Sequence, residues 1–128
     1  MTAAKVVDTS AIAAVLFLEP EGAAVASRLE QSQLAAPRLI TFELVNVCWL
    51  KCRRHPDLKD VLTAQLQSYG RLNIEEHPVD LNAVLAIALD TGLTAYDAAY
   101  LWLARNLSAE LVTLDKALMR ATAAGPPP

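Results

Sequence analysis

Short apolar runs alternate with longer amphipathic segments along the chain, and this alternation predicts its secondary structure. Residues 4–8 and residues 110–114 form short, mostly apolar runs. Runs of this kind, without strict alternation of polar residues, are typical of strands that a parallel sheet buries on both faces. Weaker strand candidates lie at residues 34–36 and 72–76. The pattern therefore predicts two well-defined strands and two weaker ones.

Helical periodicity occupies the segments between these runs. The clearest helix follows Asp80, and Gly92 ends it. Its apolar residues recur at helical spacing, namely Leu81, Val84, Leu85, Ala88 and Leu89. Further helices are predicted at residues 11–18, 21–31, 39–54, 57–69 and 95–107, with a last one after Asp115. Ser10, Asp57 and Thr94 are the predicted N-caps of three of these helices, since short polar side chains accept hydrogen bonds from a helix's first N–H groups.

This order of elements predicts an α/β fold, a three-layer α/β/α sandwich around a parallel sheet. The helix at residues 39–54 is apolar on nearly all sides, which is typical of a deeply buried helix or of one that forms an interface. No internal repeat or interdomain linker is visible. We expect one domain at residues 1–122, followed by a disordered, Pro-rich tail at residues 123–128.

Composition and charge narrow the class of protein. The chain has 128 residues, of which 54% are hydrophobic, enough for one core without disulfides. No apolar run reaches the roughly 18 residues of a membrane span, and the N-terminus lacks a secretory pattern, so we expect a cytoplasmic protein. Cys48 and Cys52 are then expected to be reduced thiols. A net charge of −3 gives no global signal for nucleic acid, and the basic cluster at residues 51–59 is compatible with a solvated helix end or with a polyanion.

Four carboxylates lie beside or inside apolar segments, where an isolated charge is costly. Asp8 and Asp115 follow the two clearest strands, Glu43 lies inside the most apolar helix, and Asp97 lies in the first turn of another. Each also has a simpler explanation. Asp8 and Asp115 could be helix caps, Asp97 could form a capping box with Thr94, and Glu43 could pair with a Lys or Arg. Because ligands bind at the carboxyl ends of parallel strands, we expect the four acids to line one crevice.

Carboxylates gathered in one crevice need a counter-charge, because like charges raise one another's pKa. Ligand sets made only of oxygen favour Mg²⁺ or Mn²⁺. The sequence contains no recognisable Ser-His-Asp triad, Cys-His pair or Gly-rich phosphate loop. It therefore predicts metal-assisted hydrolysis of a phosphate ester.

Four segments of the chain together match a known family. They are residues 6–11 (VVDTSA), 41–46 (TFELVN), 94–100 (TAYDAAY) and 111–116 (LVTLDK). In this order and across this length, the chain resembles PIN-domain ribonucleases, and most closely the VapC-type toxins of VapBC toxin–antitoxin pairs.

The resemblance implies a sheet of four or five parallel strands and a Mg²⁺- or Mn²⁺-dependent endoribonuclease that leaves 5′-phosphate and 3′-hydroxyl ends. It assigns metal binding and catalysis to Asp8, Glu43, Asp97 and Asp115. It gives Thr9 or Ser10 a supporting or phosphate-contacting role, and Asn46 a polar position beside the glutamate. It also implies a homodimer, held inactive by a small VapB-type antitoxin that lies across the groove.

Other classes fit the sequence less well or remain open. A haloacid-dehalogenase-like phosphatase needs a second acid two residues after the first, where this chain has Ser10. A receiver domain needs a strand-end acceptor Asp in the middle of the chain. A PIN-like domain that mainly binds partners, through the helices at 11–18 and 39–54, and a PIN nuclease outside toxin–antitoxin systems both remain open. The target RNA (tRNA, rRNA or mRNA) and the number of metal ions also remain open.

Overall fold

The sheet has four parallel strands. The computed structural model describes residues 3–126, and within them the strand order is β3-β2-β1-β4. The strands are β1 (Ala4–Val7), β2 (Gln33–Pro37), β3 (Glu75–His77) and β4 (Glu110–Val112). All three pairings are parallel. The predicted α/β class is thus confirmed, and each predicted strand is present with slightly different bounds.

Helices occupy the segments between the strands. The described residues contain seven α-helices: α1 (Thr9–Leu16), α2 (Gly22–Leu29), α3 (Ile40–Arg54), α4 (Lys59–Gln67), α5 (Leu81–Thr91), α6 (Ala95–Asn106) and α7 (Lys116–Ala124). Two short 3₁₀ turns, Pro56–Leu58 and Ser68–Leu72, flank α4.

The strand order places helices on both faces of the sheet. From β1 to β2 to β3 the chain moves in one direction, so right-handed crossovers place α1 to α4 on one face. There α1 contacts α2 and α3, and α3 contacts α4. The chain then returns to β4, on the far side of β1, so α5 and α6 cover the opposite face. On that face α6 packs against β1, β2 and β4.

The core lies between these layers and includes apolar residues of the central strand β1 and of the edge strand β4. Val6 and Val7 of β1 and Val112 of β4 are fully buried. On α1, the buried residues are Ala11, Ile12, Ala13, Ala14 and Leu16. Gly22 allows α2 to approach α1 closely, because a Cβ at this position would collide with the carbonyl of Ala14.

The predicted cap of the first helix is wrong. Asp8, not Ser10, caps α1, and its Oδ1 accepts a hydrogen bond from the Ala11 N–H at 3.0 Å. Both residues are good caps, but Asp8 keeps extended backbone geometry at the end of β1, so the helix begins at Thr9. The Ser10 hydroxyl is then free to make other contacts.

The other predicted caps have mixed outcomes. Asp57 lies in a 3₁₀ turn, and Leu58, the residue before α4, makes no side-chain capping bond, so the prediction for Asp57 is wrong. Thr94 is confirmed, because its Oγ1 accepts from the Asp97 N–H at 3.1 Å. Gly92 is also confirmed, since it ends α5 with a φ of 77°.

Helices α5 and α3 both expose several apolar side chains. On α5, Leu81, Leu85 and Leu89 are 78%, 55% and 77% exposed, and only Val84 is buried. On α3, the buried residues are Ile40, Leu44 and Cys48, and the exposed apolar ones are Phe42, Val45, Trp49 and Leu50. The apolar face predicted for α5 is therefore only partly right, because the helix packs through Val84, Ile87 and Ala88 and leaves the three leucines exposed.

The C-terminal boundary differs slightly from the prediction. Helix α7 continues to Ala124, two residues beyond the predicted domain end, because Ala123 and Ala124 are strong helix formers. Gly125 ends it with a φ of 72°. Of the predicted tail, residues 127–128 lie outside the described part of the chain.

Two further predictions concern the thiols and the membrane. Cys48 is buried, Cys52 is partly buried, and both are free thiols, as predicted. Among residues 3–126, no helix combines the length and apolar character that a membrane span requires.

Candidate active site

The site begins where the strand order reverses, between β1 and β4. Val7 of β1 pairs with Val112 of β4, and the Asp8 N–H donates to the Val112 carbonyl at 3.2 Å. Asp8 and Thr113 therefore leave the sheet side by side at its carboxyl edge. In open α/β sheets, this reversal point is where ligands bind.

Asp8 is buried and firmly held. Its exposed fraction is 4%. Its Oδ1 accepts from the Ala11 N–H at 3.0 Å and from the Ser10 hydroxyl at 2.7 Å, and its Oδ2 accepts from the Thr113 hydroxyl. A carboxylate offers about four lone-pair positions, so one position on Oδ2 remains for a ligand.

Two hydroxyl groups connect Asp8 to the turn after β4. The Thr113 Oγ1 accepts from the Asp115 N–H at 2.9 Å, and the Ser10 Oγ accepts from the Leu114 N–H at 2.9 Å. Sequence reasoning placed Ser10 beside the first acid but missed Thr113, which is 4% exposed. A polar residue at the end of a buried strand, two positions before a candidate acid, was the available signal.

Asp97 and Asp115 complete a group of three acids that affect one another. Asp97 lies in the first turn of α6, and Asp115 caps α7 by accepting from the Leu118 N–H at 2.8 Å. Burial raises the pKa of Asp8, and the charge of Asp115 raises it further. Burial also raises the pKa of Asp97, to which the charges of Asp115 and Asp8 add. Asp8 and Asp115 thus each cap a helix and also act electrostatically on a neighbouring acid.

Glu43 reaches the same region from α3 and is held by two hydroxyl groups. Its Oε1 accepts from the Tyr100 phenol at 2.7 Å and from the Thr9 hydroxyl at 2.9 Å, and these hydroxyl oxygens lie 2.9 Å apart. In the described part of the chain, Glu43 forms no ion pair with Lys or Arg, the alternative that the sequence allowed. Its Oε2 has no hydrogen-bond partner among the same residues.

Tyr100 is the second site residue that sequence reasoning missed. It is 1% exposed, and it lies three positions after Asp97 on the same helix. Burial raises the pKa of Tyr100 well above its usual range, a hydrogen bond with Thr9 offsets part of this, and the nearby Glu43 raises the pKa further. The phenol therefore keeps its proton and remains a donor to Glu43.

The four acids fit a hard divalent cation by chemistry, although they do not form a complete cage. Across residues 3–126, no three His, Cys, Asp or Glu side chains are already spaced to hold a metal ion. None of the ion pairs formed within these residues involves any of the four acids. No ion pair among the described residues therefore offsets their mutual repulsion. Mg²⁺ commonly takes only one or two carboxylates and completes its shell with water and substrate phosphate, which suits this arrangement.

Asn46 lies on the cleft beside Glu43. Six residues line this cleft, namely Thr9, Phe42, Glu43, Asn46, Val47 and Tyr96. Asn46 is exposed and one helical turn after Glu43, so its amide is accessible from the cleft. The structure thus places Asn46 beside the predicted glutamate.

Comparison with known proteins agrees with this geometry. A family model of the PIN domain matches residues 5–124. The chain is 32% identical over 118 residues to "Ribonuclease VapC3" of Pyrobaculum aerophilum, covering 88% of this chain and 90% of that protein. It is 32% identical over 102 residues to "Exonuclease VapC9" of the same organism, covering 72% and 69%. A crystal structure of PAE2754 from Pyrobaculum aerophilum superposes with a TM-score of 0.75 at 27% identity, covering 93% of this chain and 79% of that one. The chain therefore belongs to the PIN-domain family, and its relatives are of the VapC type.

Proposed function

We propose that the chain is a metal-dependent endoribonuclease and the toxin of a type II toxin–antitoxin pair, which cleaves RNA to inhibit translation or growth. The observation that carries this proposal is the group of acids near the carboxyl ends of β1 and β4. The pKa values of Asp8 and Asp97 are raised there, and no described cation pairs with either acid. The relatives named Ribonuclease VapC3 and Exonuclease VapC9 support the nuclease class.

Asp8, Asp97 and Asp115 would hold Mg²⁺ or Mn²⁺. A cation held there would supply positive charge near the phosphate and would lower the pKa of the attacking water. Asp8 contributes the free lone pair on its Oδ2, and the hydroxyl groups of Ser10 and Thr113 fix the direction in which that lone pair points. This fixed orientation matters because a carboxylate that must reorganise during the reaction stabilises the transition state less.

Glu43 orients the attacking water or accepts its proton. Two hydroxyl groups occupy its Oε1, which leaves Oε2 for the water. Thr9 precedes Ser10 at the start of α1, so the first turn of that helix supports both Asp8 and Glu43. Tyr100 supports Glu43 by donating to its Oε1, and its raised pKa keeps the phenol protonated for this bond.

A cognate VapB-type antitoxin and a second copy of the chain are the proposed partners, and a cytoplasmic location follows from this role. The exposed apolar residues of α3 and α5 leave surface for both partners. A PIN-like domain that mainly binds a partner is the second candidate, supported by the same exposed residues. Copurification with a small DNA-binding protein, with no RNA cleavage after its removal, would favour the second candidate.

Cleavage assays on two charge-neutralising variants test the nuclease proposal. Asp8→Asn and Asp97→Asn should each lower the cleavage rate by at least about 100-fold, since a metal supplies several kcal/mol of transition-state stabilisation. Asp60→Asn is the matched control, because Asp60 also lies in the first turn of a helix but is exposed and does not line the cleft. Mg²⁺ or Mn²⁺ should be required, and excess chelator should stop the reaction. Full activity in chelator or in both variants would refute the mechanism.

A circular single-stranded RNA separates two kinds of cleavage. An endonuclease opens the circle, whereas an exonuclease needs an end and leaves the circle intact. We expect the circle to open. An intact circle alongside degraded linear RNA would assign the chain exonuclease activity, the activity named for the VapC9 relative.

A further inference from the structure

Two aromatic side chains stand exposed at the cleft beside Glu43. Phe42 is 79% exposed and Tyr96 is 65% exposed, and both line this cleft. Phe42 immediately precedes Glu43 on α3, and Tyr96 immediately precedes Asp97 on α6. Each helix therefore brings an aromatic ring to the site together with its acid.

The cleft has polar groups but no cation. None of its lining residues is Lys or Arg, so phosphate pairing with such a side chain cannot hold a nucleic acid at this point. Nucleic acids are also held by stacking of their bases on aromatic rings, which needs no charge. The Asn46 amide offers both a donor and an acceptor, as the edge of a base requires.

Other exposed apolar groups of the chain differ from this pair. The ring of Trp49 already carries the Arg53 guanidinium at 4.9 Å from its centre. In the described residues, no Lys or Arg covers Phe42 or Tyr96 in this way. The exposed side chains on α5 are aliphatic and have no π face for a base. Phe42 and Tyr96 are therefore the exposed rings that are both uncovered and adjacent to the acids.

We propose that Phe42 and Tyr96 form a stacking subsite for a base of single-stranded RNA next to the cleaved bond, with Asn46 at the base edge. The subsite rests on the proposed nuclease function and names the form of its substrate. Paired bases in a duplex are stacked on their neighbours and are not available to these rings. The chain thus selects unpaired nucleotides, and stacking rather than charge supplies affinity at this position.

Binding of labelled single-stranded RNA in excess chelator tests the subsite without cleavage. Phe42→Leu and Tyr96→Leu should each weaken binding by about tenfold, the loss typical of one stacked base. Trp49→Leu is the matched control, since it removes an exposed ring from the same helix outside the cleft. Thermal unfolding of each variant verifies that these surface changes leave the fold intact.

An RNA with one abasic nucleotide identifies the base that stacks. This RNA keeps its phosphates, so it should lose affinity only when the missing base is the stacked one. With that RNA, Phe42→Leu and Tyr96→Leu should cause no further loss, because the two changes remove the same interaction. The subsite would be overturned if Trp49→Leu weakened RNA binding as much as Phe42→Leu and Tyr96→Leu do. It would also be overturned if the loss of affinity from a leucine variant added fully to the loss from the missing base.

The outcomes separate the subsite from the nuclease proposal. Wild-type chain that binds RNA through these rings but never cleaves it with Mg²⁺ or Mn²⁺ would retain the subsite and refute the nuclease. If the wild-type chain cleaves RNA, and Phe42→Leu and Tyr96→Leu bind RNA as tightly as the wild type does, the nuclease proposal is retained and the subsite is refuted. A change of oligomeric state in these variants, with RNA affinity unchanged, would assign the rings to a contact between copies and overturn the subsite.

Discussion

Tyr100→Phe removes one oxygen atom from the support of Glu43. The phenol oxygen lies 2.7 Å from the Glu43 Oε1 and 2.9 Å from the Thr9 Oγ1, and the residue is 1% exposed. Phenylalanine fits the same space, so the core keeps its packing. The substitution therefore tests the contacts of the phenol with Glu43 and Thr9 and little else.

The expected loss of stability is small and the expected loss of rate is large. A hydrogen bond to a charged group contributes about 1.5–3 kcal/mol. Thr9 still donates to the Glu43 Oε1, so that oxygen keeps a partner, and the free energy of unfolding should fall by about 1.5 kcal/mol. With one support left, Glu43 can swing, and a misplacement of about 1 Å costs up to about 100-fold in rate. We expect kcat to fall by about 10- to 100-fold while KM stays nearly constant.

Tyr69→Phe provides the control for this experiment. The Tyr69 phenol donates to the Glu76 Oε2 at 3.0 Å, the same pair of groups outside the cleft. Urea unfolding measures the stability of both variants, and initial rates on one RNA substrate give kcat and KM. If Tyr100→Phe cleaves RNA as fast as Tyr69→Phe does, Tyr100 does not position Glu43.

Three other perturbations probe the site and the core. Thr113→Val removes a hydrogen-bond donor to Asp8, so cleavage should slow by about 100-fold. Thr113→Ser keeps this donor and should keep most of the rate. Initial rates of cleavage of one RNA substrate measure both effects. Burial raises the pKa of Asp97, so the folded metal-free chain binds the Asp97 proton more tightly than the unfolded chain does. Protonation of Asp97 therefore adds to the free energy of unfolding at low pH, and this addition is lost as pH rises through the raised pKa. Urea titrations between about pH 4 and 7 should show a smaller loss in Asp97→Asn, and an unchanged slope would contradict the assigned shift. Gly22→Ala should lower the free energy of unfolding by about 1–3 kcal/mol, because the new methyl group meets the backbone of Ala14, and wild-type stability in a urea titration would disprove that contact.

The strands and the acids were predictable because their signals are local. Residues 4–8 form a short apolar run that ends in Asp8, and residues 110–114 form another that Asp115 follows. Parallel strands place such acids at one edge, so the sequence predicted that Asp8 and Asp115 meet if their strands are neighbours, and the β1–β4 pairing supplies that condition. Thr94 and Gly92 were predictable for the same reason, since helix caps depend on neighbouring residues.

The hydrogen bonds of Thr113 and Tyr100 to the acids were not predictable, because the partners are distant in the chain. The bond from Thr113 to Asp8 spans 105 positions, and the bond from Tyr100 to Glu43 spans 57. No local pattern specifies which hydroxyl group meets which acid across such separations. Ser10 failed as a cap for a different reason, because Asp8, two positions earlier, is an equally good cap at the end of a strand.

The position of β4 beside β1 has a consequence for the timing of activity during synthesis. Asp8 is made 105 positions before its partner Thr113. Chains emerge from the ribosome N-terminus first, and contacts between distant residues form only when both have emerged. A growing chain that has folded β1, β2 and β3 therefore has no assembled site. An enzyme whose site joins residues this far apart is inert until the segment that carries the later residue has emerged and folded, so the earlier segments are synthesised without an active site.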